Sequence, residues 1–455
     1  MPPLAPSVLF VNAHYHPDVA STGQHLTDLA EYLAAEGYRV SVLTSRARYV
    51  AGRVEAPERQ ERNGVQITRL RATTFGRGSH LGRLADYSSF YVQVLLRLLF
   101  GPRQDGVVLL TTPPLLSVVG RLARLLRGQP YAIWSMDLHP DAEFAAGMLD
   151  RRRLLGRLLE WANATGYRGA DFVVDLGPYM KRRLLDKGVS AARTETVHVW
   201  SRLDEIEPTP RDANPLLDEL GLRGRFVVMY SGNAGIVHDF THVLEAMRRL
   251  RDDRRIYFLF VGGGPQRPAI ERYAREHRLE NFAYRDYVPR DQLRHSLAAA
   301  DAHLITLRAR FAGIAVPGKL YGIMASGRPA VFVGPTRSES AEAIREARCG
   351  VVIDPDADPR PAESLARVLS DWADDPTPAR RLGAAGREVF LVRYERVPNC
   401  RAFESVIRRT WGTPVPATDA HTLAYGSPAT ASPSPPSHDS VRGTAPGAVP
   451  EDSTA

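Results

Sequence analysis

Cysteine is scarce in these 455 residues: Cys349 and Cys400 stand far apart, and no Cys-x-x-Cys pair occurs. Neither a disulfide framework nor a structural zinc site is implied. Long apolar runs are missing too, so no segment reads as a bilayer-spanning helix. The first residues, Met-Pro-Pro-Leu-Ala-Pro, lack the basic leader of a secretory signal and run straight into a strand. A cytoplasmic protein is the expectation, with the inner face of the membrane as a place to dock. No basic run interleaved with aromatics appears, which argues against nucleic acid as a partner. What is present is the balance of a soluble globular chain, 44% hydrophobic and 24% charged, at a length that suits two or three domains. The formal net charge of +8 comes mostly from arginine. A solvated arginine-rich surface accounts for it; the functional readings are an anionic ligand or an anionic membrane face.

Strand and helix patterns alternate along the chain. Residues 7–11 form a short apolar strand, followed by a loop with His14, His16, Asp18 and Gly23. A helix over about 24–36 ends at Gly37, and a strand covers 40–44. This βαβ unit requires a right-handed crossover and implies a parallel sheet. Residues 46–64 are polar without a period, and 65–70 alternate like a strand. A helical stretch over 81–100 carries a wide apolar stripe that includes Phe90, Val94 and Leu98. It reads as a core face, with a membrane-dipping segment as the alternative. Further strands fall at 107–110, 131–134, 171–175 and 196–200.

Residues 201–215, polar and holding Pro208, Pro210 and Pro215, read as a linker to a second unit of the same kind. Its strands lie near Phe226 and at 256–261, 302–305, 329–333 and 350–353. The pattern predicts an α/β protein of two doubly wound Rossmann-like domains, 1–200 and 216–395, facing across a cleft. A helix over 396–412 would return to the first domain. The Pro/Ser/Thr/Ala-rich tail over 413–455 has too little apolar surface to order itself. Ligands of such sheets bind beyond the carboxyl ends of the strands, which places a substrate in the cleft.

Within that frame, Tyr230-Ser-Gly-Asn-Ala-Gly235 closes a buried strand and precedes an apolar-periodic helix over 240–250. A strand, a tight glycine loop and a helix start present backbone N–H groups to a phosphate or diphosphate. Lys319 stands just ahead of another helix, where its charge has the wrong sign for the helix dipole; that misplacement points to an anion. Arg308 and Arg310 are weaker candidates for the same role. Asp354-Pro-Asp356 reads as a turn.

Five segments then line up in order: Tyr15-His-Pro-Asp-Val-Ala-Ser-Thr-Gly-Gln24, Asp137-Leu-His-Pro-Asp141 with Gly147 following, Tyr230 to Gly235, Val261-Gly-Gly-Gly-Pro265, and Val316-Pro-Gly-Lys-Leu-Tyr-Gly-Ile-Met-Ala-Ser-Gly-Arg-Pro329. Over roughly residues 7–411 the chain resembles glycosyltransferase family 4, retaining enzymes of the GT-B fold, and within it the bacterial transferases of surface-polysaccharide assembly. The resemblance implies a nucleoside-diphosphate sugar as donor, a UDP-sugar first, and a lipid-linked or small-molecule hydroxyl acceptor. It implies no metal and no cofactor beyond that co-substrate, so His14, His16 and Asp18 are not read as a metal site. Gly232, Asn233, Gly235 and Gly263, with Lys319, would hold the diphosphate, and the backbone of Val316, Pro317 and Gly318 would touch the donor. Thr22, Gly23 and Gln24 would approach the donor from the first domain. Asp137 or His139 would orient or deprotonate the acceptor hydroxyl. The sequence departs from the family's pattern in three ways. Asn233 stands where arginine is common, no lysine follows in the same loop, and the family's two glutamates fall at Ile314 and Gly322. A GT-B epimerase or phosphorylase, or a scaffold that has lost its site, are the competing readings.

Overall fold

The computed structural model describes residues 6–46, 56–71, 73, 80–211 and 214–412. The tail expected over 413–455 lies outside them. The first half contains β1 (Ser7–Val11), α1 (Ser21–Ala35), β2 (Arg39–Ser45), β3 (Arg59–Arg62), β4 (Val65–Leu70), α2 (His80–Phe100) and β5 (Gly106–Leu110). It continues through α3 (Leu116–Arg127), β6 (Tyr131–Trp134), α4 (Asp141–Ala145), α5 (Leu154–Arg168), β7 (Val173–Asp175), α6 (Pro178–Asp186) and β8 (Thr194–Thr196). These strands form one eight-stranded sheet in the order β3-β4-β2-β1-β5-β6-β7-β8. All neighbours are parallel except the edge strand β3, which pairs antiparallel with β4. Its turn, Asn63-Gly64, has positive φ at both residues (48° and 77°), the geometry a two-residue hairpin needs.

The second half runs α7 (Pro215–Glu219), β9 (Phe226–Ser231), α8 (Thr241–Arg249), β10 (Ile256–Val261), α9 (Arg267–Glu276), β11 (Phe282–Arg285) and α10 (Leu293–Ala298). It goes on with β12 (Ala302–Thr306), α11 (Lys319–Ala325), β13 (Ala330–Val333), α12 (Glu339–Ala347), β14 (Gly350–Ile353), α13 (Pro361–Asp374) and α14 (Thr377–Val389). Its six strands are all parallel, in the order β11-β10-β9-β12-β13-β14. The order reverses between β9 and β12, and the loops leaving those two strands form the mouth of the site.

The central strands are solid apolar runs, as sheets covered on both faces require. Val8 to Val11 and Val107 to Leu110 are buried throughout, and so are Val227 to Tyr230 and Phe258 to Val261. The core of the first sheet continues across the domain boundary into α11, α12 and their neighbours through Leu320, Tyr321 and Ile344. The chain crosses between domains twice. The two crossings lie side by side, with the Ser201 N–H donating to the Tyr394 carbonyl at 3.2 Å. After the second crossing, α15 (Arg396–Trp411) packs on the first domain against α1. Phe403 meets the Trp134 ring at 4.9 Å, and the Trp411 indole N–H donates to Asp171 Oδ2 at 3.1 Å. Gly106 leaves room for that indole: a Cβ there would lie 2.0 Å from the ring.

Candidate active site

Between the domains lies a cavity of about 620 Å³. One wall comes from the start of α1 and the loop after β6, the other from the loops after β9 and β12, and the hinge residues 201–206 close one end.

The second-domain wall is built from backbone and one cation. Gly232, with φ of 126°, takes the chain out of β9 into the loop. The loop after β10 packs directly on it. A Cβ at Gly262 would lie 2.2 Å from the Gly232 carbonyl oxygen, and one at Gly264 2.6 Å from the Ala234 nitrogen, so both must be glycine. The Gly232 N–H donates to the Val261 carbonyl at 2.8 Å and the Ala234 N–H to the Gly263 carbonyl at 2.7 Å. This corrects the simple phosphate-loop picture. Two of the loop's donors already serve the end of β10 and the loop after it, and α8 begins only at Thr241. Among the described residues, the N–H groups of Gly235 and Ile236 donate to nothing, and both residues line the cavity. Gly263 stands behind the loop, outside the cavity wall, and acts as its support.

Lys319, the first residue of α11, supplies the cation. Its ammonium is sealed from solvent, has no hydrogen-bond partner among the described residues, and sits 3.5 Å from the centroid of the Tyr230 ring. A Cβ at Gly232 would lie 3.4 Å from Nζ, so the lysine lies directly against the loop. Burial alone pushes its pKa well below the usual lysine value, with no carboxylate working against it. The neighbouring His238 is held neutral. Burial, followed by the Lys319 charge, pushes it down to about 3, and its Nδ1 meets the Thr306 carbonyl at 2.6 Å. Arg308, the weaker candidate, is occupied in shaping the loop: it donates to the His238 carbonyl at 2.9 Å and pairs with Asp239 at 3.1 Å. Arg310 lies outside this cavity.

The first-domain wall carries ionisable side chains. Helix α1 starts at Ser21, so Thr22, Gly23 and Gln24 belong to its first turn rather than to the loop before it. Thr22 and Gln24 line the cavity. Gly23 does not; it allows α1 to lie on the preceding loop, where a Cβ would be 3.1 Å from the His14 carbonyl. Asp137 lines the cavity, and its carboxylate has no hydrogen-bond partner among the described residues. Burial raises its pKa above the ordinary aspartate range. The adjacent backbone is stitched to the other domain, the Leu138 N–H donating to the Ile314 carbonyl at 3.0 Å. His139 is placed just outside the cavity wall. Its Nδ1 is 2.8 Å from Glu143 Oε1. Burial works to lower the His139 pKa, but the hydrogen bond and charge of Glu143 outweigh it and the net shift is upward. Glu143 was not singled out from the sequence, although it follows His139 by four residues at the start of a helix.

The hinge end adds residues that no motif signalled. The Trp200 indole N–H donates to Asp28 Oδ2 at 3.0 Å, and Glu205 is held by Arg202 at 3.0 Å and by Arg290 at 2.9 Å. Gly322, one of the two positions without the family's glutamate, is buried; a Cβ there would lie 3.5 Å from Ile206 and 3.6 Å from Ser201 Oγ. Ile314, the other, is buried at the domain interface. Val316, Pro317 and Gly318 line the cavity beside Lys319. Asp354 and Asp356 form a turn: Asp354 accepts from the Thr336 N–H at 2.7 Å and the Asp356 N–H at 3.0 Å. His14 is bonded to Asp18 at 2.6 Å.

Residues 22–200 match the model of a glycosyl transferase 4-like domain, and residues 225–371 match that of glycosyl transferases group 1. The chain belongs to the glycosyltransferases. Two curated relatives agree. The probable glycosyltransferase WbjE of Pseudomonas aeruginosa is 26% identical over 306 residues, 67% of this chain and 75% of the relative. The putative colanic acid biosynthesis glycosyl transferase WcaI of Escherichia coli K12 is 27% identical over 349 residues, 73% and 84% of the two chains. Among solved structures, sucrose-phosphate synthase of Thermosynechococcus elongatus superimposes with a TM-score of 0.72 at 18% identity, covering 89% of this chain and 98% of its own. Anabaena Alr3699/HepE in complex with UDP-glucose gives 0.67 at 14% identity, covering 89% and 99%. These likenesses establish the GT-B fold for this glycosyltransferase, with its cavity at the junction of the two matched domains.

Proposed function

We propose that the enzyme moves a sugar from a nucleoside-diphosphate sugar, a UDP-sugar first, to a hydroxyl of a lipid-linked or small acceptor. The anomeric configuration is retained, no metal is required, and the reaction belongs to cell-surface polysaccharide assembly on the cytoplasmic side. The observation that carries this reading is Lys319: a sealed ammonium with no hydrogen-bond partner among the described residues, set against the Gly232 loop, which ends in the free N–H groups of Gly235 and Ile236. As the bond from the sugar's anomeric carbon to the diphosphate breaks, negative charge grows on the diphosphate, and Lys319 with the free N–H groups of the loop stabilises it. The acceptor oxygen bonds the same carbon on the same face, and its proton passes to the departing phosphate oxygen. Asp137, facing this region with an unoccupied carboxylate, orients the acceptor hydroxyl, and the His139–Glu143 pair fixes the loop behind it. Retention and the polysaccharide context rest on the family resemblance and on the names of the relatives; the nucleotide rests on the UDP-glucose complex of the structural neighbour.

A melting-temperature panel with UDP, GDP, dTDP and their sugars tests the reading, since a ligand at about 100 times its dissociation constant adds roughly 2.7 kcal/mol to stability. UDP should raise the melting temperature by some degrees, and UDP-sugar should be hydrolysed slowly without acceptor. No shift with any nucleotide would defeat the proposal, while a shift without hydrolysis or transfer would favour a binding scaffold.

A further inference from the structure

On one face of the first sheet, α3 packs between α2 and α5. Ser117 Oγ donates to Asn163 Oδ1 at 2.6 Å, and Arg127 Nη1 donates to the Leu98 and Gly101 carbonyls at 2.9 and 2.7 Å. The inward side of α2 is apolar, with Phe90, Val94 and Leu98 buried. The outward side is apolar as well: Val92, Leu96 and Phe100 recur at four-residue spacing and are exposed. On α5, Leu154, Leu158 and Trp161 form a second outward stripe, 82%, 53% and 62% exposed. Leu125 and Leu126 lie exposed between them on α3. Helices that are apolar on both sides are found where something other than water covers them.

The charges say what covers them. The three helices carry seven arginines against two acids, Asp86 and Glu160, and Glu160 is taken by Arg151 at 3.1 Å and Lys187 at 3.6 Å. Arg97, Arg152 and Arg157 are exposed and pair with no carboxylate among the described residues. We propose that this three-helix face docks on an anionic lipid bilayer, its leucines and Trp161 entering the interface and its arginines meeting the headgroups. A second copy of the chain is a poorer cover, because face-to-face packing would set arginine against arginine with few acids to pair them. The sequence offered a membrane-dipping segment on α2 alone, as the alternative to a core face; the exposed apolar surface is composite, with α5 at its most exposed end. Arg151 ties that end to Asp141 at 3.1 Å, two residues from His139, so the docked face adjoins the acceptor wall of the cleft.

Sedimentation of the full chain with vesicles tests this, using phosphatidylcholine alone or with about one-third phosphatidylglycerol. The protein should pellet with the anionic vesicles only and be released by salt. The combined Leu154→Glu, Leu158→Glu and Trp161→Glu variant should pellet about tenfold less or worse, with unchanged circular dichroism. Arg152→Glu with Arg157→Glu should weaken binding without touching any buried group, and carries the test should the first variant misfold. Wild-type protein left in the supernatant with anionic vesicles, or variants that pellet as it does, would overturn the proposal. So would a concentration-dependent dimer that the triple variant dissolves, which would assign the face to a second copy.

Discussion

Two sealed lysines in this chain stand in opposite surroundings. Lys187 lies between Asp141 at 2.7 Å and Glu160 at 3.6 Å, with its side chain 9% exposed. Lys319 has an aromatic face at 3.5 Å and no acceptor among the described residues. Lys181, Lys187 and Lys319 are the only lysines among 59 basic residues, so a compact ammonium in place of a broad guanidinium is the exception here. A desolvated charge is unfavourable until something pairs with it. Lys187 finds its counter-charge inside the protein and holds α4 and α5 together behind the acceptor loop. Lys319 must take its counter-charge from outside. The first is a stability device and the second a binding device, although both are buried cations.

Substitution at the two sites should separate these roles. Lys319→Ala should lower kcat/KM by about 100- to 1000-fold, the loss typical of a donor to developing negative charge, while the melting temperature of the unliganded protein stays level or rises. A variant with wild-type transfer rates would erase the distinction. Lys187→Ala should do the reverse, costing about 2 kcal/mol in denaturant unfolding by leaving the buried Asp141 to Arg151 alone, with near-normal turnover per folded molecule. Asp137→Asn should reduce kcat by about 100-fold and leave UDP binding intact; equal losses in both would move Asp137 from the acceptor side to the donor side.

The smallest effect is a proton. The pKa of Lys319 lies below its ordinary 10.5 in the folded chain. Between the depressed value and 10.5 the unfolded chain therefore holds a proton that the folded one lacks, and this group makes the unliganded protein more stable as pH rises through that range. A bound diphosphate raises the lysine's pKa again. UDP binding should then take up a proton in that range and weaken as pH rises, which calorimetry in buffers of different ionisation enthalpy would detect.

Much of the fold was legible because its central strands are apolar runs bounded by polar residues. Ile256–Val261 and Gly350–Ile353 have the same limits in sequence and structure. The edge strand Arg59–Arg62 escaped because all four residues are polar; only the Asn63-Gly64 turn beside it carried a signal. The position of the site was legible from its loops, but its wiring was not. That the Ala234 N–H is already taken depends on Gly263, in another loop, and no local pattern reports it. The start of α1 was read late because Gly23 resembles a loop residue, whereas its missing side chain lets a helix turn lie on the His14 backbone. The lysine's wrong-signed helix position was a usable clue. That its ammonium would be shut away beside Tyr230, with no carboxylate near, needed three dimensions.

The return of α15 also sets an order of assembly. The first domain is synthesised first, yet Phe403 and Trp411, from the far end of the chain, cover the part of the Trp134 and Phe172 aromatic face that Trp200 does not. A protein cut after residue 200 would leave Phe172 and one side of Trp134 bare, and a growing chain must wait with them uncovered until the second domain has been made. The domain that begins the chain is thus the last to be finished, and the enzyme cannot mature as two independent halves.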